Sequence, residues 1–176
     1  SLRFYKMYAD IDGWKPKDSN AKPDSSNILD EWILSRLNQT IAETTKQADS
    51  YKLALAINPI FELLDDMSNW FIRRSRRRFW KAEDDNDKEQ AYATLWFVLT
   101  RTAQLLAPWA PFISDYVWRE LTAGLDVPKS VHLTDWPKAS EINSKVLEDM
   151  ASVREAINEG LALRAAAGIK VRQPLA

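Results

Sequence analysis

The chain has 176 residues, of which 45% are hydrophobic and 11% aromatic, so its length and composition suit one well-packed domain, or one domain with a short flank. Its formal net charge of −1 shows no overall basicity, so any affinity for a polyanion must come from a local patch of basic side chains. The lack of cysteine excludes disulfides and thiolate metal sites, and no apolar run approaches the roughly 18 residues of a membrane span.

The apolar spacing is helical almost throughout the chain. Residues 2–10 are predicted to end one helix, and residues 11–26 form a polar loop with glycine and proline as breakers. Asn27 is predicted to cap the next helix, where Asp30 and Glu31 suit the positive end of the helix dipole. The apolar stripe of this helix consists of Leu29, Ile33, Leu37 and Ile41.

A second long helix is predicted over about residues 49–81. Pro59 lies inside it and is expected to kink or restart the helix, because proline donates no backbone hydrogen bond. The predicted core stripe consists of Ile57, Ile60, Phe61, Leu64, Met67 and Phe71. The acidic residues 83–87 are predicted to form the turn that follows.

Three more helices complete the predicted fold. The third covers about residues 87–107 and ends at Pro108, and the fourth begins at Pro111 and ends near Gly124. The apolar positions of the fourth helix are Ile113, Tyr116, Val117 and Leu121. An irregular connection follows, with a short extended piece at residues 130–133. The last helix covers about residues 141–167. Its apolar positions are Ile142, Val146, Met150, Val153 and Ile157. Amphipathic helices with short connections predict an all-α helix bundle of about five helices.

The most informative stretch, residues 68–80, reads Ser-Asn-Trp-Phe-Ile-Arg-Arg-Ser-Arg-Arg-Arg-Phe-Trp. With about 100° between successive residues of a helix, the face predicted to continue the core comprises Phe71, Ile72, Ser75 and Phe79. The opposite face presents Asn69, Trp70, Arg73, Arg77 and Trp80, with Arg74, Arg76 and Arg78 at its flanks. Arginine binds phosphates and base edges, and tryptophan offers a flat surface to an unstacked base. Because RNA is read by sequence mainly in loops, this face suits an RNA loop.

A structural interpretation of the same stretch is also open. The arginines could form ion pairs with the acids that follow them, which are Glu83, Asp84, Asp85, Asp87 and Glu89. Each such exposed pair contributes about 0–1 kcal/mol to stability. The two tryptophans could instead pack against neighbouring helices. Stacking on a base requires Trp70 or Trp80 to face solvent, whereas docking of an acidic protein partner requires only the arginines. We predict that at least one of the two rings is substantially exposed beside the arginines.

At this stretch the chain resembles isoleucyl-tRNA synthetases. Further segments agree with that family in the same order, at residues 8–14, 29–38, 106–112, 130–137 and 170–175. The resemblance covers nearly the whole chain, and residues 68–80 are its most specific part. Residues 106–112 and 170–175 are shared more loosely with valyl and leucyl relatives. A valyl or leucyl homologue therefore stays an alternative, as does a helical protein-interaction scaffold.

The resemblance implies an anticodon-binding domain of a class I synthetase. Residues 1–26 would be the tail of the preceding catalytic region with a linker, residues 27–168 the helical domain, and residues 169–176 the start of the C-terminal connection. The parent enzyme would join isoleucine to its tRNA using ATP and Mg, in the cytoplasm. The sequence contains neither the His-Ile-Gly-His nor the Lys-Met-Ser-Lys-Ser motif of the family. We therefore expect a fragment that is inactive alone, with no catalytic residue, metal site or cofactor of its own.

The same resemblance implies which residues contact RNA. The expected partner is the anticodon stem-loop of isoleucine tRNA, with no DNA or membrane partner, and the chain is expected to be monomeric. The first group of tRNA-binding residues is Asn69, Trp70, Arg73, Arg77 and Trp80, followed by Arg74, Arg76 and Arg78. A second group is Arg36 and Asn38, while Trp32 beside them is expected to be a packed core residue. The family's zinc-binding C-terminal region, found in many members, is expected to lie outside this chain.

Overall fold

The computed structural model describes residues 1–16, 23–80 and 84–174, and this part of the chain is entirely helical apart from turns and connections. Its α-helices are α1 (Leu2–Asp12), α2 (Ile28–Asp49), α3 (Leu53–Ala56), α4 (Asn58–Asp65), α5 (Ile72–Trp80), α6 (Asp85–Leu106), α7 (Pro111–Thr122) and α8 (Ser144–Ala166). A π-helical turn, Asp66–Phe71, joins α4 to α5, and a 3-10 turn, Val131–Leu133, lies between α7 and α8. The predicted all-α bundle is confirmed. None of the described helices is long and apolar enough to cross a membrane.

Some sequence predictions fall outside the described residues. They concern Lys17 and its neighbours to residue 22 in the predicted polar loop, Lys81 at the predicted end of the second helix, Glu83 in the acidic turn, and Leu175 in the last segment of resemblance.

Helix α2 lies at the centre of the bundle, where it contacts α3, α4, α6 and α8. Its predicted start is confirmed, because the Asn27 Oδ1 accepts a hydrogen bond from the Leu29 backbone N–H at 3.0 Å. The predicted stripe is also confirmed, with Ile33, Leu37 and Ile41 buried in the core. The helix therefore supplies the surface on which the others pack.

The predicted second helix is divided into three helices. It begins at Leu53 rather than near residue 49, because α2 continues to Asp49 and the chain then turns through Tyr51, which has a left-handed φ of 57°. The predicted restart at Pro59 is confirmed: α4 begins at Asn58 with the proline in its first turn, where no N–H donor is needed.

The predicted core stripe from Ile57 to Phe71 is confirmed in part, since Ile60, Met67 and Phe71 are buried as predicted. Ile60, Leu63 and Met67 are buried, whereas Phe61 is 55% exposed. The sequence has apolar residues at both 60–61 and 63–64, so two faces of the helix are apolar, and packing on α2 selects the face that contains Leu63. The prediction that Phe61 lies in the core is wrong.

Helices α7 and α8 also differ from their predicted stripes. In α7 Leu121 is buried in the main core and Trp118 is buried against Ala107 and Val131, whereas Ile113 and Tyr116 are exposed. Trp96 on α6 fixes this orientation by donating its indole N–H to the Leu121 carbonyl at 2.8 Å. In α8 Val146 is buried but Val153 is exposed, because the second half of this helix extends past the bundle. The piece at residues 130–133 is a 3-10 turn rather than extended.

Helix α1 packs on the bundle through an aromatic cluster. Tyr5 and Ala9 are buried in the same core as α2 and α6. The aromatic rings around them contact one another edge to face or tilted, except that Trp14 stacks on Tyr92. The members of the cluster are Phe4, Tyr5, Tyr8, Trp14, Phe79 and Tyr92. Beside this cluster the Asp12 carboxylate accepts hydrogen bonds from the Tyr92 hydroxyl at 2.5 Å and from the Lys88 ammonium at 2.6 Å.

This contact predicts a pH-dependent contribution to stability. Burial raises the pKa of Asp12, but hydrogen bonds from Lys88 and Tyr92 outweigh it and hold this pKa below its ordinary value. Since the folded pKa is depressed, ionised Asp12 stabilises the fold at neutral pH, and this stabilisation is lost as the pH falls through that pKa, below about 4. Asp12→Asn should therefore lower the free energy of unfolding at pH 7, and the difference from the unsubstituted chain should shrink as the pH falls.

Urea unfolding measured over a series of pH values checks this expectation. Asp126→Asn removes an exposed acid and serves as the control, for which we expect little effect at any pH. A loss for Asp12→Asn that stays constant down to acidic pH would assign the contribution to packing instead of charge.

Candidate nucleic-acid interface

Helix α5 has two distinct faces, as predicted from residues 68–80. Ile72, Ser75 and Phe79 are buried, and Phe71 at the end of the π turn is buried with them. The outward face carries four exposed arginines, which are Arg73, Arg74, Arg76 and Arg77. This part of the predicted helical phase is confirmed.

The π turn determines which residues of this segment face outward. If α4 continued as an unbroken α-helix, the spacing of Ile60, Leu63 and Met67 would bring Arg74 and Arg78 onto the core face. A π turn contains one extra residue and rotates everything after it relative to what precedes it. Because the turn covers Asp66–Phe71, the core face of α5 is formed by Ser75 and Phe79, and most of the arginines are left in solvent.

Within the described part of the chain, the acids that follow the exposed arginines do not pair with them. Among the described residues, Arg73, Arg76 and Arg77 form no hydrogen bond or ion pair. Asp84 instead caps α6 by accepting the Asn86 backbone N–H at 2.9 Å, and Glu89 accepts the Trp14 indole N–H at 2.7 Å. The guanidinium groups therefore keep their hydrogen-bond donors available to an external anion.

Trp80 ends α5 with its ring 60% exposed. The prediction that at least one of the two tryptophans is substantially exposed beside the arginines is therefore confirmed. We call the exposed outer surface of this segment the arginine ridge, and it consists of Asn69, Arg73, Arg76, Arg77 and Trp80. Asn69 lies at its start and donates its side-chain N–H to Asp65 Oδ1 at 2.5 Å. The ridge combines cations, an amide and a free aromatic face.

Trp70 is enclosed by other side chains. The guanidinium carbon of Arg74 lies 4.6 Å from its ring centroid, and that of Arg154 on α8 lies 5.2 Å away. Its indole N–H donates to Met150 Sδ at 3.1 Å. The ring is half-buried and packs against the core, so it also has the structural role that the sequence left open. Stacking of an RNA base on Trp70 stays a prediction.

Arg78 does not lie at an exposed flank, and that expectation is wrong. It is buried, and its Nη1 and Nη2 donate to the two carboxylate oxygens of Asp30 at 2.7 and 2.8 Å. Its Nε donates to Asp87 Oδ2 at 2.9 Å. Burial lowers the pKa of Arg78, but the bonds to Asp30 and Asp87 outweigh it, so that the pKa lies above its ordinary value. Arg78 connects α5 to α2 and α6, so its position does not support the prediction that it contacts tRNA.

The second predicted group has internal partners as well. Arg36 is mostly buried, and its Nε donates to Asp66 Oδ2 at 2.8 Å. Asn38 is buried, and its amide donates to the Glu141 carbonyl at 3.2 Å and accepts the Ser140 backbone N–H at 3.1 Å. It holds the connection before α8, so the prediction that it contacts tRNA is not supported by its position. The expectation that Trp32 is a core residue is confirmed.

Arg154 is a residue near this site that the sequence did not single out. Its Nη1 donates to Asp66 Oδ1 at 2.5 Å, so that Asp66 accepts hydrogen bonds from arginines of both α2 and α8. The interaction fixes α8 against the π turn and beside Trp70. No local pattern in the sequence marks Arg154, because its partner lies in a different helix 88 positions earlier in the chain.

Comparison with known proteins identifies similar domains. The family described as "Anticodon-binding domain of tRNA ligase" matches residues 30–176. The isoleucine–tRNA ligase of Treponema denticola is 43% identical over 99% of this chain and 17% of its own length. That of Chlamydia trachomatis serovar L2 is 40% identical over 99% of this chain, and that of Clostridium tetani 39% identical over 98%, again over 17% of each relative. The chain thus spans a small part of these relatives.

Proposed function

This chain belongs to the family of anticodon-binding domains of tRNA ligases, and from that membership we propose that it binds the anticodon stem-loop of isoleucine tRNA. The observation that carries the proposal is the arginine ridge, where Arg73, Arg76 and Arg77 have no ion-pair partner among residues 1–16, 23–80 and 84–174 and lie beside the exposed Trp80. Guanidinium groups bind phosphates, and an aromatic face holds a base that is splayed out of a loop. A single-stranded loop offers both together.

We also propose a role in the whole protein. The relatives named above are isoleucine–tRNA ligases. We propose that this chain is the anticodon-binding domain of a longer protein with the same activity. That activity is the ATP-dependent joining of isoleucine to its tRNA in the cytoplasm. In that protein the chain orients the tRNA as a monomeric domain and takes no part in the chemical steps.

We propose that the cofactors of such an enzyme are bound outside this chain. With no cysteine and one histidine, the sequence lacks the usual ligands of a zinc site. Within residues 1–16, 23–80 and 84–174, no group of three His, Cys, Asp or Glu side chains is placed to hold a metal. We therefore assign ATP, Mg and any zinc to other parts of the protein.

Titration of the chain with an isoleucine anticodon stem-loop at several salt concentrations tests the proposal. Binding should weaken as salt rises, with a slope of about −0.7 per neutralised phosphate. Arg77→Ala should make that slope shallower by about 0.7 if it removes one phosphate contact. Trp80→Ala should instead weaken binding by about 1–3 kcal/mol with the slope unchanged, since it removes a stacking surface.

Arg119→Ala provides the matched control, because Arg119 is an exposed arginine on α7, away from the arginine ridge. It should bind as the unsubstituted chain does. A loop with altered anticodon bases completes the set: equal affinity for both loops would leave only a general polyanion surface. Salt-independent binding, or none at low salt, would contradict the proposal.

A further inference from the structure

We propose that Phe61 is a second base-stacking surface of this chain, at the opposite end of the arginine ridge from Trp80. This inference rests on the proposed function, since it adds a contact to the same RNA loop. Phe61 lies on α4 with its ring 55% exposed, although its neighbours Ile60 and Leu63 are buried. The packing of α4 on the bundle is therefore complete without this ring.

The surroundings of Phe61 distinguish it from an ordinary surface phenylalanine, which by itself would need no explanation. It lines an open cleft of about 800 Å³ between α2, α4 and α8. The opposite walls are formed by Trp32, Arg36, Gln39, Leu147 and Arg154. The cleft thus has an apolar floor with polar side chains around it, as the pocket of a flat heterocyclic ligand requires.

The cleft is continuous with the arginine ridge. Helix α4, the π turn and α5 follow one another without a break, and at ~1.5 Å per residue Phe61 and Trp80 are about 28 Å apart along the helix. That is the length of about eight nucleotides at the stacked spacing of ~3.4 Å, and of fewer where the strand is extended. Asn69, Arg73 and Arg77 lie on the path between the two rings. One RNA loop can therefore reach both aromatic surfaces.

The charges along this path favour a base at Phe61 and phosphates at the arginines. Glu62 and Asp65 are exposed beside Phe61, and their carboxylates repel a phosphate. Carboxylate oxygens accept hydrogen bonds from the exocyclic amino groups of bases. Arg36 pairs with Glu62 at 3.6 Å and donates to Asp66 and to Gln39, but it does not reverse this charge, because the cleft is lined by four acids and two arginines. The ligand expected in the cleft is thus an unstacked base of the loop, preferably one with an amino group.

Stem-loop titration with Phe61→Ala and Phe61→Tyr tests the proposal. Loss of the ring should weaken binding about tenfold with the salt slope unchanged, because stacking releases no counterions. Phe61→Tyr keeps the aromatic face and should bind as the unsubstituted chain does. The urea midpoint should not change in either variant, because the side chain is exposed. Phe112→Ala, which removes a 91% exposed ring on α7, is the matched control and should bind normally.

A stem-loop carrying 2-aminopurine at each loop position in turn identifies the base. One position should be quenched by the chain, and the quenching should be lost in Phe61→Ala but kept in Phe112→Ala. If Arg77→Ala and Trp80→Ala weaken binding while Phe61→Ala does not, the inference is overturned and the proposed function stands. A shallower salt slope for Phe61→Ala would also overturn it, by placing the RNA backbone there. No binding by the unsubstituted chain would overturn both.

Discussion

Replacing Arg78 with alanine should lower the free energy of unfolding by about 3–5 kcal/mol, because it removes one partner of a buried charge network. The side chain of Asp30 is fully buried and receives both of its strong hydrogen bonds from Arg78, at 2.7 and 2.8 Å. Without the guanidinium, the Ser25 hydroxyl, at 2.7 Å, is the one side-chain donor that the described residues leave to the Asp30 carboxylate, and it is a poor substitute for a cation. The carboxylate must then be buried as an unpaired charge or take up a proton.

Urea unfolding at neutral pH measures this loss. Arg77→Ala is the matched control. Arg77 is exposed and has no ion pair among the described residues, so its replacement should change the free energy of unfolding by less than about 0.5 kcal/mol. In a second variant, Arg78→Met combined with Asp30→Asn removes both charges and should recover part of the loss. If Arg78→Ala and Arg77→Ala were equally stable, Arg78 could not be the connection between α2, α5 and α6 that its geometry indicates.

Phe79→Ala should also cost about 3–5 kcal/mol of stability, the usual range for removing a buried aromatic ring from a core. Phe79 is almost completely buried, and its ring centroid lies 5.1 Å from Phe4, 6.4 Å from Tyr8 and 5.0 Å from Tyr92. Phe79 therefore packs α5 on both α1 and α6, where it adds an apolar contact to the Arg78–Asp87 pair. Its removal leaves a cavity among rings that cannot collapse without moving α1.

The adjacent Trp80→Ala provides the contrast for this measurement. Since the Trp80 ring is mostly exposed, its loss should leave the urea midpoint nearly unchanged while weakening RNA binding. Phe79→Ala should show the reverse. Its urea midpoint should be low, but at a temperature where the variant is folded its arginines should still bind RNA. If the two variants had the same effect on stability, the assignment of neighbouring residues to opposite faces of α5 would be wrong.

Much of the fold could be predicted because its signals are local. The Asn27 cap, the restart at Pro59 and the stripe around Ile33 and Leu37 depend on residues within one or two helical turns of each other. Phe61 was misplaced because adjacent apolar pairs make two faces of α4 equally acceptable. Only packing on another helix selects one of them, and a helical period cannot show where that helix lies.

The candidate site was predictable to a similar extent. The sequence indicates which face of α5 is charged, and Arg73, Arg76 and Arg77 lie on it as expected. The sequence could not show that Arg78 is buried while these arginines are exposed. Its partner Asp30 is 48 positions away in the chain. The same limit applies to Asn38, whose amide binds the backbone just before α8. Partners that are distant in sequence decide which polar residues are structural.

The π turn between α4 and α5 makes this segment more sensitive to its length than to its composition. Adding one more residue to Asp66–Phe71 would rotate α5 by about 100°, whereas removing one would restore a regular helix with the same core face. After such an insertion Arg74 would turn toward the core, while Phe79 would turn toward water. Substitutions in the turn change one side chain at a time, whereas an insertion there changes the orientation of every side chain in α5. Relatives that share this arginine face should therefore vary in the residues of the turn but not carry an added one.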